Sequence, residues 1–264
     1  TYKSSAGANG YGYELPEGSY YLEEDLALKN YSIKVKDNVI LCLNNKTITA
    51  QHDQAAIYIM DDASFTLTDC GTEGKIVHEA GRTNRGVYVG YRATFRMYNG
   101  IITEHHTDDA RLTLDGAGVF ADGNVEMHGG TITGNSTAGT GGGVFNRSDG
   151  TFILYEGAKI TGNSAKYGGG VAVSGKTEML GGEISGNSAT YGGGVYVDDH
   201  YKTDLIMTGG TITGNNADEN GGGVYVTRRY SGYESNGETM TVSGLVDITG
   251  NTLGGAEDGL GGYT

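Results

Sequence analysis

The sequence predicts an all-β solenoid in which short parallel strands stack in successive coils, and three observations carry this prediction. Eight isoleucines recur at spacings of 24 to 36 residues along a chain of 264 residues. Short segments of alternating apolar residues accompany them, bounded by Gly, Asn, Asp or Ser. The chain also contains 48 glycines, which interrupt every window of helical length in the repeated part. A fixed period of roughly 20–50 residues is typical of stacked repeat units.

Three columns of apolar residues define the strands of each coil. Each column is short and alternates with period two, which is typical of β-strands. The first column is Ile57, Val87, Val119, Val144, Val171, Val195 and Val224. The second is a pair two residues apart, as in Phe65/Leu67, Phe95/Met97, Val125/Met127, Phe152/Leu154 and Leu205/Met207. The third consists of the isoleucines Ile48, Ile76, Ile102, Ile132, Ile160, Ile184, Ile212 and Ile248. Three short strands per unit predict a parallel β-helix of about eight coils.

An asparagine column follows the isoleucines at a distance of three residues: Asn135, Asn163, Asn187, Asn215 and Asn251. Asn tolerates the left-handed backbone of a strand-ending corner, and stacked amides hydrogen-bond from coil to coil. Further upstream, the same position holds Gln51, Glu79 and His105. We therefore expect a structural ladder that begins at the fourth coil.

The repeated phrases resemble those of a known group of proteins. They are Thr-Gly-Asn-Ser-Ala-Lys-Tyr-Gly-Gly-Gly-Val at 161–171 and Ile-Ser-Gly-Asn-Ser-Ala-Thr-Tyr-Gly-Gly-Gly-Val-Tyr-Val at 184–197. They look like the repeats of bacterial surface adhesins of the polymorphic-outer-membrane type. Together with the asparagine column, residues from about 38 to 251 resemble the pectate-lyase-like superfamily. The resemblance implies a right-handed parallel β-helix and an extracellular bacterial protein, and it carries no catalytic residues.

The segment 1–37 departs from the repeat that occupies 38–264. It contains the only proline, Pro16, and a cluster of tyrosines. A solenoid must close its first coil against water and against edge-to-edge pairing, so we expect this segment to be a cap. Because the chain starts at Thr1 without Met and stops where a further coil would begin, we expect a monomeric fragment of a longer surface protein.

The composition narrows the classes of partner. A formal net charge of −14 argues against nucleic acid, whose phosphates would be repelled. No apolar run reaches the length of about 18 residues that a membrane span requires. We expect a secreted or cell-surface protein without a cofactor, although calcium is a candidate ligand for its acidic loops.

The two cysteines, Cys42 and Cys70, each lie six residues before a repeat isoleucine. They are therefore expected as stacked neighbours in adjacent coils, within the distance that a disulfide spans. Strictly parallel side chains give a disulfide poor torsion, which favours a pair of buried thiols. The sequence leaves both alternatives open.

The strongest functional candidate is a column of aromatic residues at the middle of the Gly-Val-Tyr-Val strands. The flanking valines point inward, so the middle residue faces outward. The aromatic members of this column are Tyr58, Tyr88, Phe120, Phe145, Tyr196 and Tyr225. Ala172 occupies the position between Phe145 and Tyr196. Such a column either contacts a sugar or a partner's apolar surface, or stabilises the solenoid by stacking from coil to coil.

Loops that leave the same strands add polar groups to this side. Insertions on one side of a solenoid often mark its binding face. The predicted loop residues are Tyr201, Arg228 and Tyr230, with Arg92 and Arg147 on the same side. Tyrosines, arginines and carboxylates together suit a polysaccharide or a host glycan or protein surface.

A polysaccharide lyase or glycoside hydrolase on the same fold is the alternative. Hydrolysis needs carboxylates that flank a glycosidic bond, and lyase chemistry needs basic residues beside a uronate. The residues available for such a scheme are Asp198, Asp199, His200, Arg228 and Arg229. The polygalacturonase signatures Asn-Thr-Asp, Gly-His-Gly and Arg-x-Lys are missing, so we favour a binding domain over an enzyme.

A second polar segment, residues 104–111, places two histidines beside carboxylates. It contains Glu104, His105 and His106, followed by Asp108 and Asp109. These are ligand types for a divalent metal, but their spacing follows no regular ligand pattern. We therefore expect a polar bulge in a longer coil.

Overall fold

The computed structural model of the chain describes residues 13–107, 115–147, 149–198, 203–227, 240–254 and 256–257. This part of the chain is an all-β parallel solenoid and contains no helix. The predicted fold class is confirmed, and each coil contributes the three short strands expected from the three columns.

Face A is a parallel sheet with one strand from each coil. Its strands, numbered in chain order along the whole chain, are β1 (Tyr13–Leu15), β4 (Ile33–Val35), β7 (Ile57–Ile59), β10 (Val87–Val89), β13 (Val119–Ala121), β16 (Val144–Asn146), β20 (Val171–Val173), β24 (Val195–Val197) and β27 (Val224–Val226). The first and third residues of a strand such as β7 point into the core, and its middle residue faces outward.

Faces B1 and B2 carry the other two strands of each coil. Face B1 consists of β2 (Gly18–Tyr21), β5 (Asn38–Cys42), β8 (Ser64–Thr68), β11 (Thr94–Met97), β14 (Asn124–Met127), β17 (Thr151–Leu154) and β21 (Lys176–Met179). Face B2 consists of β3 (Leu26–Leu28), β6 (Thr47–Ala50), β9 (Lys75–His78), β12 (Ile101–Thr103), β15 (Thr131–Thr133), β18 (Lys159–Thr161) and β22 (Glu183–Ser185). Two long strands, β25 (Asp204–Thr213) and β28 (Met240–Thr249), run through both faces and join them.

Face C adds a fourth strand to the later coils. Its parallel strands are β19 (Ser164–Tyr167), β23 (Ser188–Tyr191), β26 (Asn216–Asn220) and β29 (Thr252–Leu253), and β30 (Ala256–Glu257) pairs antiparallel with β29. These strands follow the asparagine corner directly. This face was not predicted from the sequence.

The coil number differs slightly from the eight predicted, since face A contains nine parallel strands among the described residues. The difference comes from the segment before Asn38. Its strands β1, β2 and β3 pair in parallel with β4, β5 and β6, so the coil register begins at Tyr13. Residues 1–12 lie outside the described part, and a capping role for 1–37 stays a prediction.

The core is a continuous stack of inward-facing apolar side chains. The repeat isoleucines pair in register along face B2, as in Ile102 with Ile132, and all except the half-buried Ile248 are buried. On face B1, the parallel rings of Phe65 and Phe95 lie 5.9 Å apart. A fully buried side chain of this size contributes about 1.5–3 kcal/mol, so stability accumulates coil by coil.

The asparagine ladder is present and extends one coil further upstream than predicted. Each side-chain oxygen accepts hydrogen bonds from the preceding asparagine, as Asn163 Oδ1 does from the backbone N–H of Asn135 at 3.0 Å. The backbone N–H of His105 makes the same bond to Asn135 Oδ1, at 3.1 Å. Gln51 and Glu79 instead pair with each other at the surface.

Cys42 and Cys70 form a disulfide, with their Cα atoms 6.2 Å apart. The expected buried thiols are therefore wrong. In the register of face B1, Cys42 lies opposite Thr68, and Cys70 follows two residues later in the turn.

Candidate functional site

The aromatic column lies on the outside of face A, one residue per coil. Its members are in register as predicted, so Tyr88 lies between Tyr58 and Phe120, and Tyr196 lies beside Tyr225. Ala172 separates Phe145 from Tyr196. The parallel pairing of face A therefore brings residues about 30 positions apart in the chain into one line.

The rings at the start of the column stack face to face. Tyr58 and Tyr88 have centroids 4.6 Å apart with planes at 16°, and Tyr88 and Phe120 are 5.4 Å apart at 7°. Phe120 meets Phe145 edge on, at 5.6 Å and 65°. Ring faces used between coils are not free for a ligand, so the column presents ring edges and hydroxyl groups to the outside.

The middle of the column is covered. Phe120 and Phe145 are only 6% and 9% exposed and form a small apolar cluster with Ala172. The guanidinium carbon of Arg85 lies 4.3 Å from the centre of the Phe120 ring, and Arg85 Nε donates to the Asp115 carbonyl at 2.6 Å. The accessible parts of the column are its two ends, Tyr58–Tyr88 and Tyr196–Tyr225.

At the first end, Asp122 connects the column to the loops. The Tyr88 hydroxyl donates to Asp122 Oδ2 at 2.9 Å, and Arg147 Nη1 bonds Asp122 Oδ1 at 3.1 Å. Burial, and then the hydrogen bond to this carboxylate, raise the pKa of Tyr88. Arg92, which also follows a strand of face A, forms a two-point ion pair with Asp62. The tyrosine hydroxyl is thus held as a donor beside paired charges.

At the second end, two further tyrosines join the column. We call Tyr167, Tyr191, Tyr196 and Tyr225 the tyrosine quartet. Tyr167 and Tyr191, from β19 and β23 of face C, have parallel rings 5.3 Å apart. Tyr167 lies 5.1 Å from Tyr196, and Tyr191 lies 6.0 Å from Tyr225, measured between ring centroids. The quartet therefore lines the corner where faces A and C meet.

Two carboxylates lie beside the quartet, together with Lys166, whose Nζ is 5.1 Å from the centre of the Tyr167 ring. The Tyr191 hydroxyl donates to the Glu219 carboxylate, which raises the pKa of Tyr191 to about 12. Burial, followed by the charge of Asp198, raises the pKa of Tyr196 to about 12. Both phenols stay neutral at physiological pH, and the negative surroundings disfavour an anionic ligand at this corner.

Sequence analysis missed Tyr167 and Tyr191. Their signal is the tyrosine of the phrase Ala-x-Tyr-Gly-Gly-Gly, which occurs in two successive coils. Face C, which brings these rings beside face A, was not predicted from the sequence.

The predicted loop residues are only partly described. Asp198 follows β24, and its backbone N–H donates to the Val173 carbonyl at 2.9 Å. Asp199, His200, Tyr201, Arg228, Arg229 and Tyr230 lie outside the described residues. Of the residues assigned to an enzymatic scheme, the structure therefore places Asp198 alone.

Of the polar segment 104–111, the structure describes residues 104–107, and its two histidines point in different directions. His105 is fully buried and points into the core, whereas the neighbouring His106 is exposed and its Nδ1 lies 2.7 Å from Ser136 Oγ. Asp108 and Asp109 lie outside the described part. Within the described ranges, no three metal-ligating side chains come together.

Comparison of the chain with protein-family models, with curated proteins and with solved structures returned no match. In the described part of the chain, no helix has the length and apolar character needed to cross a membrane.

Proposed function

We propose that this chain is an extracellular bacterial binding or adhesion domain, whose solenoid presents the ends of the aromatic column to a glycan or a host surface. The observation that carries the proposal is the tyrosine quartet, four half-buried aromatic rings at one corner. Tyrosine combines an apolar ring with a hydroxyl, which suits contact with the C–H faces and hydroxyls of a sugar.

Charge favours a neutral ligand at this corner. Asp198 and Glu219 lie beside the quartet, and the whole chain carries a formal net charge of −14. A polyanionic glycan would be repelled unless a cation such as calcium bridged it. The likeness of the repeats to those of bacterial surface adhesins agrees with a secreted or cell-surface location.

A glycan-array screen with the labelled protein, performed with calcium and with a chelator, tests the proposal. We expect binding to neutral glycans without calcium, and loss of that binding in the Tyr196→Ala/Tyr225→Ala variant. Unchanged binding in this variant removes the quartet from the site.

A matched control uses a second exposed aromatic stack. Tyr98 and Tyr155 sandwich His128 at ring separations of 4.6 and 4.2 Å, just after strands of face B1. Tyr98→Ala/Tyr155→Ala removes the same two side chains from another side of the solenoid and should leave binding intact.

The same protein is incubated with pectin, alginate and host glycans to distinguish binding from catalysis. A binding domain leaves the chain length of each polymer unchanged. Release of oligosaccharides would instead support the polysaccharide-active enzyme, in which Asp198, Asp199, His200, Arg228 and Arg229 are the residues to substitute first.

A further inference from the structure

Three histidines lie inside the N-terminal coils, where the asparagine ladder ends. His52, His78 and His105, which we call the histidine column, are 7%, 3% and 0% exposed. Neighbouring rings meet edge to face, with centroids 6.2 Å apart for His52 and His78 and 4.9 Å apart for His78 and His105. Ionisable side chains stacked in an apolar core are costly unless they stay neutral.

His105 joins the histidine column to the ladder. Its ring Nε2 lies 3.1 Å from the Ile76 carbonyl oxygen. Asn135 makes the matching contact one coil further on, where its Nδ2 donates to the Ile102 carbonyl at 3.1 Å. His105 therefore takes the place of a ladder asparagine and extends the ladder toward His78.

The pair of His78 and His105 has contacts for three protons. Their Nδ1 atoms lie 2.6 Å apart, and each Nε2 faces a carbonyl oxygen, that of Gln54 for His78 and that of Ile76 for His105. A carbonyl oxygen only accepts, so each Nε2 needs a proton, and the Nδ1–Nδ1 contact needs another. Two neutral imidazoles hold two protons, so one of the three contacts goes without a proton, and a third proton would fill it only by placing a positive charge in the core.

Little charge is available to balance that third proton. Among the described residues, the titratable groups outside the column that act on it are Asp53, Arg82 and His106. Asp53 and Arg82 lie at the surface and pair with each other at 3.5 Å, and His106 is exposed. Burial lowers the pKa of all three column histidines, to about 4 for His78 and well below its usual range for His105.

We propose that the histidine column is an acid-sensitive joint, which holds the N-terminal coils to the asparagine ladder at neutral pH and releases them on acidification. In the unfolded chain these histidines titrate near pH 6.5, whereas the folded coils keep them neutral to lower pH. The stability that they contribute is complete above pH 6.5 and is lost as the pH falls toward 4. For His78 alone, the equilibrium constant for opening rises about 20-fold between pH 7 and pH 5.

Hydrogen exchange of the backbone amides, corrected for the intrinsic effect of pH on exchange, measures this opening coil by coil. We expect amides of β6 and β9 to lose protection by well over 20-fold between pH 7 and pH 5, because His105 adds to the contribution of His78. Amides of β18 and β22, which lie between ladder asparagines, serve as the internal control and should keep their protection. Equal loss in both regions, or no loss in β6 and β9, would overturn the proposal.

Two substitutions test the column directly. His105→Asn continues the ladder and removes one of the two paired rings, so the pH response of β6 and β9 should fall to the roughly 20-fold expected of His78 alone. A second variant, His78→Gln, removes the other ring and keeps a side-chain amide that can donate to the Gln54 carbonyl. It replaces His105→Asn in the test if that variant does not fold. His106→Asn changes the exposed neighbour and should retain the full response. A folded His105→Asn or His78→Gln variant with the wild-type pH response would contradict the joint.

Discussion

The Oδ1 atom of Asn187 accepts two hydrogen bonds from Asn163, one from its backbone N–H at 2.9 Å and one from its side-chain amide at 3.0 Å. Asn187 Nδ2 then donates to Asn215 Oδ1 at 2.9 Å and to the Ile160 carbonyl at 2.9 Å. One buried side chain thereby connects three coils. The asparagines of the repeat are structural, and function must be sought at positions that coil geometry leaves free.

Asn187→Ala should destabilise the solenoid by about 3 kcal/mol or more, because each buried group left without a partner costs about 1–3 kcal/mol. Urea denaturation followed by circular dichroism measures the loss. Asn124→Ala, at the outward-facing start of β14, is the control and should change stability by less than about 0.5 kcal/mol. Equal effects of the two substitutions would show that the ladder contributes little.

Gly170→Ala should destabilise by about 1–3 kcal/mol, since a Cβ there would lie 2.6 Å from the Gly194 carbonyl oxygen and 2.9 Å from Asn187 Nδ2. Backbone atoms of the next coil cannot move away without breaking the sheet. At Gly81, an added Cβ meets nothing within 4 Å, although the φ of 83° is left-handed. Gly81→Ala should therefore cost only the left-handed strain, about 1 kcal/mol. A thermal shift larger for Gly81→Ala than for Gly170→Ala would contradict the close packing of coils.

Reduction of the Cys42–Cys70 disulfide should lower stability by about 3.6 kcal/mol, the chain-entropy value for a loop of its length. The bridge closes a separation of 28 residues within the N-terminal coils. Thermal unfolding with and without reductant measures the difference. Cys42→Ser/Cys70→Ser should unfold at the temperature of the reduced protein, and reductant should not change that temperature. If reductant did not change the unfolding temperature of the wild-type protein, the bridge would not be formed.

Alkaline pH should destabilise the tyrosine quartet. The pKa of Tyr196 is raised from 10.0 to about 12, so the folded state keeps a proton that the unfolded state loses. The stability from this shift is complete below pH 10 and is lost as the pH rises toward 12. Tyr196→Phe should weaken the decline between these pH values in denaturation experiments, and ultraviolet titration should show fewer late-ionising phenols. An unchanged titration would place Tyr196 in solvent.

The fold was predictable because every coil repeats the same constraints. The inward Ile132 and the corner at Asn135 stay three residues apart from coil to coil although the coil length varies, and the isoleucines stack in parallel register, as Ile102 does with Ile132. The outward column of face A was predictable for the same reason, since its residues alternate with inward valines. A tyrosine such as Tyr88 could be placed from its neighbours in sequence.

The site was less predictable because it depends on contacts between faces. The meeting of Tyr167 with Tyr196 requires face C, which begins directly after the asparagine corner and has no column of large apolar residues. The cover of Phe120 by Arg85 arises between residues 35 positions apart, in different coils. The histidine column does not follow from the asparagine positions, because His78 lies two residues after Ile76 and is directed into the core by the alternation of β9, whereas Glu79, at the asparagine position, is exposed.

The most direct test of the proposed binding face is a titration of the strongest array glycan against two matched double variants. Each aromatic contact contributes about 0.5–1.5 kcal/mol beyond its buried area, so Tyr196→Ala/Tyr225→Ala should weaken the Kd by about 10-fold or more. Tyr98→Ala/Tyr155→Ala should bind like the wild type. An unchanged Kd for the first variant, or an equal loss for the second, would contradict the assignment of binding to the aromatic column and the tyrosine quartet.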